Sequence, residues 1–169
     1  MTKPLPNEAA SYYFRYIDLV PDGDVLSALS NQLDEITNFL STISEEQSVG
    51  SYAPDKWTLR QVLSHINDAE RVFLFRALWF SRGSQEPLPG FEQDIYVASS
   101  GANDVPWERL VDEFRSVRSS TLTFFRNTPA DCWSRSGIAS ENPVTVNAIA
   151  YIIAGHAVHH VNVIKERYL

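Results

Sequence analysis

Three histidines carry the most specific chemical signal in this chain. His156 and His160 stand at i and i+4 in Ala154-Gly155-His156-Ala157-Val158-His159-His160, and His65 stands in Leu63-Ser64-His65-Ile66-Asn67-Asp68-Ala69-Glu70. Side chains four residues apart meet over one helical turn, so an inward pair of imidazoles can grip one ion. A third imidazole from a facing helix would complete a three-ligand centre that keeps a position open for water or substrate. A divalent ion on three neutral ligands retains its charge and lowers the pKa of a thiol or water beside it, which serves S-transfer or hydrolysis. The competing account is three separate core histidines, each satisfied by its own hydrogen bond.

The helices that must position these residues can be read from period and caps. In the last segment, Ile149, Ile152, Ile153, Val163 and Ile164 form an apolar stripe. At about 100° per residue, His156 and His160 fall within roughly 20° of its centre, while His159 lies about 80° off, at an edge suited to a supporting or surface role. Thr145 caps this helix, which reaches about Tyr168. On the second helix Val62, Ala69, Val72, Phe73 and Phe80 mark the inner face. His65 sits on the flank of that face, about 60 to 80° from its middle. Thr58-Leu59-Arg60-Gln61 fits a capping box, with Trp57 and Val62 as the hydrophobic staple, and Gly83 stops the helix after Arg82.

Two more helices complete the set. Asp24 caps a first one carrying Leu26, Leu29, Leu33, Ile36, Leu40 and Ile43. Asn103-Asp104-Val105-Pro106 opens a third with Trp107, Leu110, Phe114, Val117, Thr121 and Phe124, ending before Pro129. The aromatic-rich first 20 residues read as a lead-in or short helix. Ser84 to Gly101 reads as a long loop, and no strand is expected, although Val144 to Ile153 is rich in β-branched residues. The expectation is an all-α, four-helix bundle forming a single domain over residues 1–169, with a long loop between helices 2 and 3.

Several polar residues fall near the histidines. Asp68 lies one turn from His65 and is the candidate proton acceptor. Glu70, about 140° round the helix from His65, reads as a solvated charge or an ion pair with Arg71. Arg76 lies three turns beyond His65 on nearly the same face and is the candidate to hold a carboxylate of a thiol cofactor, against a structural salt bridge. Phe91 and Tyr96 are placed to line a pocket mouth or to pack the loop down. Cys132 reads as packing.

Composition narrows the function classes. The chain has 169 residues, 44% hydrophobic and 21% charged, which is ordinary globular usage. Its net charge of −7 repels phosphate backbones and anionic lipid, so neither nucleic acid nor membrane is an expected partner. One cysteine leaves no disulfide framework and no multi-thiolate zinc site. The first residues lack the apolar core of a signal peptide, and no stretch approaches the roughly 20 apolar residues of a span, so a soluble cytoplasmic protein is expected.

Taken together these segments resemble the DinB/YfiT-like superfamily of metal-binding four-helix bundles. The likeness runs over most of the chain: Trp57-Thr58, His65, Asp68-Ala69-Glu70-Arg71, Arg76-Ala77-Leu78, Leu88-Pro89-Gly90-Phe91, Gly155-His156 and His159-His160. The family pattern of one histidine on the second helix and an H-x-x-x-H pair on the last matches His65, His156 and His160. The resemblance implies a divalent metal, zinc or nickel, on these three imidazoles. It also implies chemistry on a small-molecule substrate, either transfer or isomerisation with a low-molecular-weight thiol or hydrolysis, and a homodimer. The alternative is a non-catalytic bundle that binds a small molecule or a partner.

Overall fold

The computed structural model describes residues 1–169. In chain order its elements are α1 (Phe14–Ile17), α2 (Val25–Leu40), α3 (Glu45–Ser48), α4 (Leu59–Ser81), α5 (Gln93–Ser99), α6 (Trp107–Arg126), the strands β1 (Ser136–Ala139) and β2 (Asn142–Thr145), and α7 (Val146–Arg167). Three of the four long helices start at the caps their sequences supply. Asp24 accepts the Ser27 N–H, Thr145 accepts the Ala148 N–H, and Thr58 and Gln61 form the reciprocal capping box. The fourth, α6, has no cap of its own, and Glu45 of α3 supplies one by accepting the Trp107 N–H at 2.8 Å.

Packing of α4 against both α6 and α7, and of α2 against the same two, gives a four-cornered bundle. The consecutive long helices α2 and α4 therefore occupy opposite corners. The all-α four-helix bundle expected from the sequence is the fold observed. The expectation of no strands is corrected: β1 and β2 form an antiparallel hairpin, Ser136 opposite Thr145 and Ala139 opposite Asn142. Its two-residue turn places Ser140 and Glu141 at φ 51° and 64°, the left-handed pair that usually calls for Asn-Gly. Ser-Glu hides that signal in the sequence. The segment expected to be loop from Ser84 to Gly101 also differs, since it contains α5 and is tied to the hairpin. Leu88 N–H donates to Ile138 O at 2.9 Å, and Ser140 N–H donates to Leu88 O at 3.1 Å.

The apolar interior divides into two clusters. One gathers Ile17, Leu29, Phe73, Phe80, Phe125 and the first half of α7; the other gathers Leu40, Leu63, Ile66, Leu110, Phe114 and Ile164. Each long helix also buries polar side chains: Gln32 on α2, His65, Asn67 and Glu70 on α4, Arg118 on α6, and His156 on α7. The first half of α7 is buried on all sides, every residue from Val146 to Ala157. That is why its sequence is apolar almost all round rather than amphipathic.

Candidate metal centre

The three histidines converge between α4 and α7. The Nε2 atoms of His65 and His156 lie 3.1 Å apart, and the candidate ligand atoms of His65, His156 and His160 all lie within 4.8 Å of one another. Two nitrogens about 2.05 Å from one tetrahedral ion would be about 3.4 Å apart, so the closest pair is already at ligand spacing. Two facing imidazole nitrogens can share one proton or one cation, whereas two bare lone pairs would repel. The Nδ1 of His65 is buried with no hydrogen-bond partner. The donor set therefore fits a divalent ion, and these are not three histidines each satisfied by the protein.

Their electrostatics leave them able to bind a cation. Burial pushes the His65 pKa down to about 4, against the opposing pull of Asp94. Burial first, then the neighbouring imidazoles, takes His160 down to about 3 and His156 well below the usual range. All three are neutral at pH 7, the form with a free lone pair.

Aromatic rings hold the imidazoles in place. Phe91 lies parallel to His65 with centroids 6.3 Å apart, and Trp57 approaches it at 5.1 Å. Tyr16 meets His156 and His159 edge-on at 5.3 and 5.4 Å. Tyr16 can come so close only because residue 155 is glycine: a Cβ there would sit 1.9 Å from the Tyr16 carbonyl oxygen. His159 stands at the margin of the centre, half-buried, as its angle predicts.

Two concavities reach the centre. A cleft of about 680 Å³ is lined by His159 and His160 with Trp57, Tyr52, Lys56 and Arg167. A smaller cavity of about 170 Å³ is lined by His65 and His156 with Arg76, Phe73, Phe91 and Ser140. Phe91 and Tyr96 also line a neighbouring apolar hollow.

The remaining candidates fall in different places. Asp68 pairs with Arg71 at 3.3 Å, and Arg71 reaches on to Glu113 of α6 at 2.7 Å. Burial raises the Asp68 pKa despite that cation, but Asp68 borders neither concavity. Arg76 is buried and borders the smaller cavity; its Nη2 donates to Pro89 O at 3.0 Å and to Ser140 Oγ at 2.9 Å. Cys132 is buried, as packing requires.

Glu70 is a correction, being neither solvated nor paired with Arg71. It is buried and takes Nε and Nη2 of Arg118 at 2.8 and 2.9 Å. Arg118 Nη1 donates to Gln32 Oε1 at 2.9 Å, and Gln32 Nε2 donates to the carbonyl of Ala154 at 3.2 Å. This chain of bonds joins all four long helices two residues before His156. Its sequence signal was an arginine on the apolar stripe of α6, one turn after Phe114 and beside Val117.

Comparison with known proteins agrees with this fold. The family model of the DinB superfamily matches residues 28–164. YfiT from Bacillus subtilis, described as a probable metal-dependent hydrolase with an unusual four-helix bundle topology, superposes with a TM-score of 0.73 at 14% identity, over 97% of this chain and 90% of that one. A mycothiol-dependent maleylpyruvate isomerase superposes with a TM-score of 0.68 at 14% identity, over 81% of this chain and 58% of that one. At such identities the shared property is the fold. No curated protein matches the chain by sequence.

Proposed function

Because this chain belongs to the DinB superfamily, we propose that it is a metal-dependent enzyme in which His65, His156 and His160 hold a divalent ion, zinc or nickel, for S-transfer or hydrolysis of a small molecule. The observation that carries this reading is the convergence of three neutral imidazoles, two buried and His160 partly so, whose nitrogens face one another rather than other protein groups. A bound divalent ion would supply the charge that makes a thiol or a water nucleophilic near pH 7.

The chain's own residues do the rest. Trp57, Phe91 and Tyr16 fix the imidazole planes and keep bulk water from the ligands. The larger cleft bears charges of both signs, Lys56 and Arg167 against Asp55 and Asp94, which suits a polar low-molecular-weight thiol. Asp68, one turn from His65 but paired with Arg71 and bordering neither concavity, would support the site from outside rather than take a proton from substrate. Arg76 is the candidate to hold an anionic group in the smaller cavity.

The test supplies zinc- or nickel-loaded protein with a low-molecular-weight thiol and a panel of electrophiles, and separately with esters and amides. Metal-dependent turnover that is absent from His160→Ala is expected. Stoichiometric metal with no turnover on either panel would favour the non-catalytic, ligand-binding bundle instead.

A further inference from the structure

Three arginines of this chain are buried: Arg60, Arg76 and Arg118. Arg60 meets the carboxylate of Glu45, and Arg118 meets that of Glu70. Arg76 meets no carboxylate. Its Nη2 is occupied by two neutral acceptors, Pro89 O and Ser140 Oγ, and neither its Nε nor its Nη1 has an acceptor within the protein. A guanidinium is always charged, and Nε and Nη1 are not sealed from outside, so they remain free to meet an incoming anion.

The surroundings of Arg76 are built for that purpose. Its two neutral acceptors come from two separate segments, the loop before α5 and the tip of the hairpin. Those segments are joined to each other by the Leu88 bonds to Ile138 and Ser140. The hairpin tip that delivers Ser140 holds two consecutive non-glycine residues in the left-handed region, a strained arrangement that persists only where the surroundings over-determine it. The guanidinium borders the cavity of about 170 Å³ that also touches His65 and His156, and no acidic residue lines it. Phe73 and Phe91 give it apolar walls.

We propose that this cavity takes a small, elongated monocarboxylic acid. The carboxylate would sit on Arg76, and the reacting end would lie toward His65 and His156. The planar fork of a guanidinium matches a carboxylate, and one cation neutralises one charge, which disfavours a phosphate dianion. The volume corresponds to about six water-sized groups, which limits the acid to a short chain. Arg76 lies eleven positions after His65 on α4, about 16 Å of helix rise. Its long side chain leans back toward the helix N-terminus, so a short acid can reach from the guanidinium toward the imidazoles in the cavity both residues line. The inference deepens the proposed function by naming a substrate class, and it rests on that reading for the reacting end alone.

The test compares hexanoate with its uncharged isostere hexanamide, by calorimetry and by NMR, on protein stripped with chelator and on zinc-loaded protein. Hexanoate should bind at least tenfold more tightly than hexanamide in both states, and Arg76→Gln should bring the two within twofold. In the unsubstituted protein the Arg76 Nε–Hε resonance should move with hexanoate and stay with hexanamide, a readout that does not depend on the variant folding. Equal binding of acid and amide, a preference that survives Arg76→Gln, or a preference seen only with zinc would each overturn the proposal. Failure to take up zinc would count against the metal centre and leave this comparison intact.

Discussion

Glu70 on α4 and Arg118 on α6 form a two-point ion pair, 2.8 and 2.9 Å, that is closed off from water on every side. Through Gln32 it continues to the carbonyl of Ala154, so the pair ties together all four long helices two residues before His156. Removing one partner strands a buried charge, which costs about 3–5 kcal/mol. Glu70→Ala should therefore shift the denaturant midpoint by that order. The double variant Glu70→Leu with Arg118→Met should recover much of the loss. A single variant within 1 kcal/mol of the parent would show that the pair does not govern stability.

The close passage of α1 over α7 makes a second prediction. A methyl group at residue 155 would collide with the backbone of Tyr16, which cannot yield as a flexible side chain can. Overpacking of this kind typically costs about 1–3 kcal/mol. Gly155→Ala should lose about that much stability, and near-ultraviolet circular dichroism should report a displaced Tyr16. An unchanged spectrum and midpoint would contradict the close approach.

These two contacts show where the sequence was readable. Period and caps located α2, α4 and α7, because a stripe of Leu and Ile with Asp24, Thr58 or Thr145 at its head has one good structural solution. His156 and His160 are legible for the same reason, since their angles on α7 point inward; His65, on the flank of its stripe, is marked by the family pattern instead. What stayed hidden depended on partners distant in sequence. Glu70 looked solvated because nothing local reveals Arg118, 48 residues away. The hairpin escaped notice because its turn uses Ser140 and Glu141 rather than glycine. On α6, Phe125 is fully buried and Phe124 only partly so, a one-residue shift of the expected stripe.

Metal-free protein should lose stability as pH falls below 6.5. In the unfolded chain the histidines take up protons near their ordinary pKa of 6.5, whereas burial holds folded His65 neutral to about 4 and His160 to about 3. Protons thus favour the unfolded state across that window. The effect is present from 6.5 downward and grows until the folded pKa is reached. Between pH 6.5 and 5, before most carboxylates titrate, each should contribute about 2 kcal/mol of loss. A denaturant midpoint constant over that range would contradict the burial of these rings.

Asp68 is separable from the ligands. Asp68→Ala should retain the metal content of the parent and lower turnover by less than about 100-fold, the scale of a group that takes a proton from substrate, since Asp68 borders neither concavity. Unchanged metal affinity together with unchanged turnover would remove Asp68 from the chemistry.

The central claim is that His65, His156 and His160 share one divalent ion. The direct measurement is the metal content of protein purified without a polyhistidine tag, beside His65→Ala and His156→Ala. Close to one zinc or nickel per chain is expected, lost in both variants. No metal even after reconstitution, or metal retained by the variants, would contradict it.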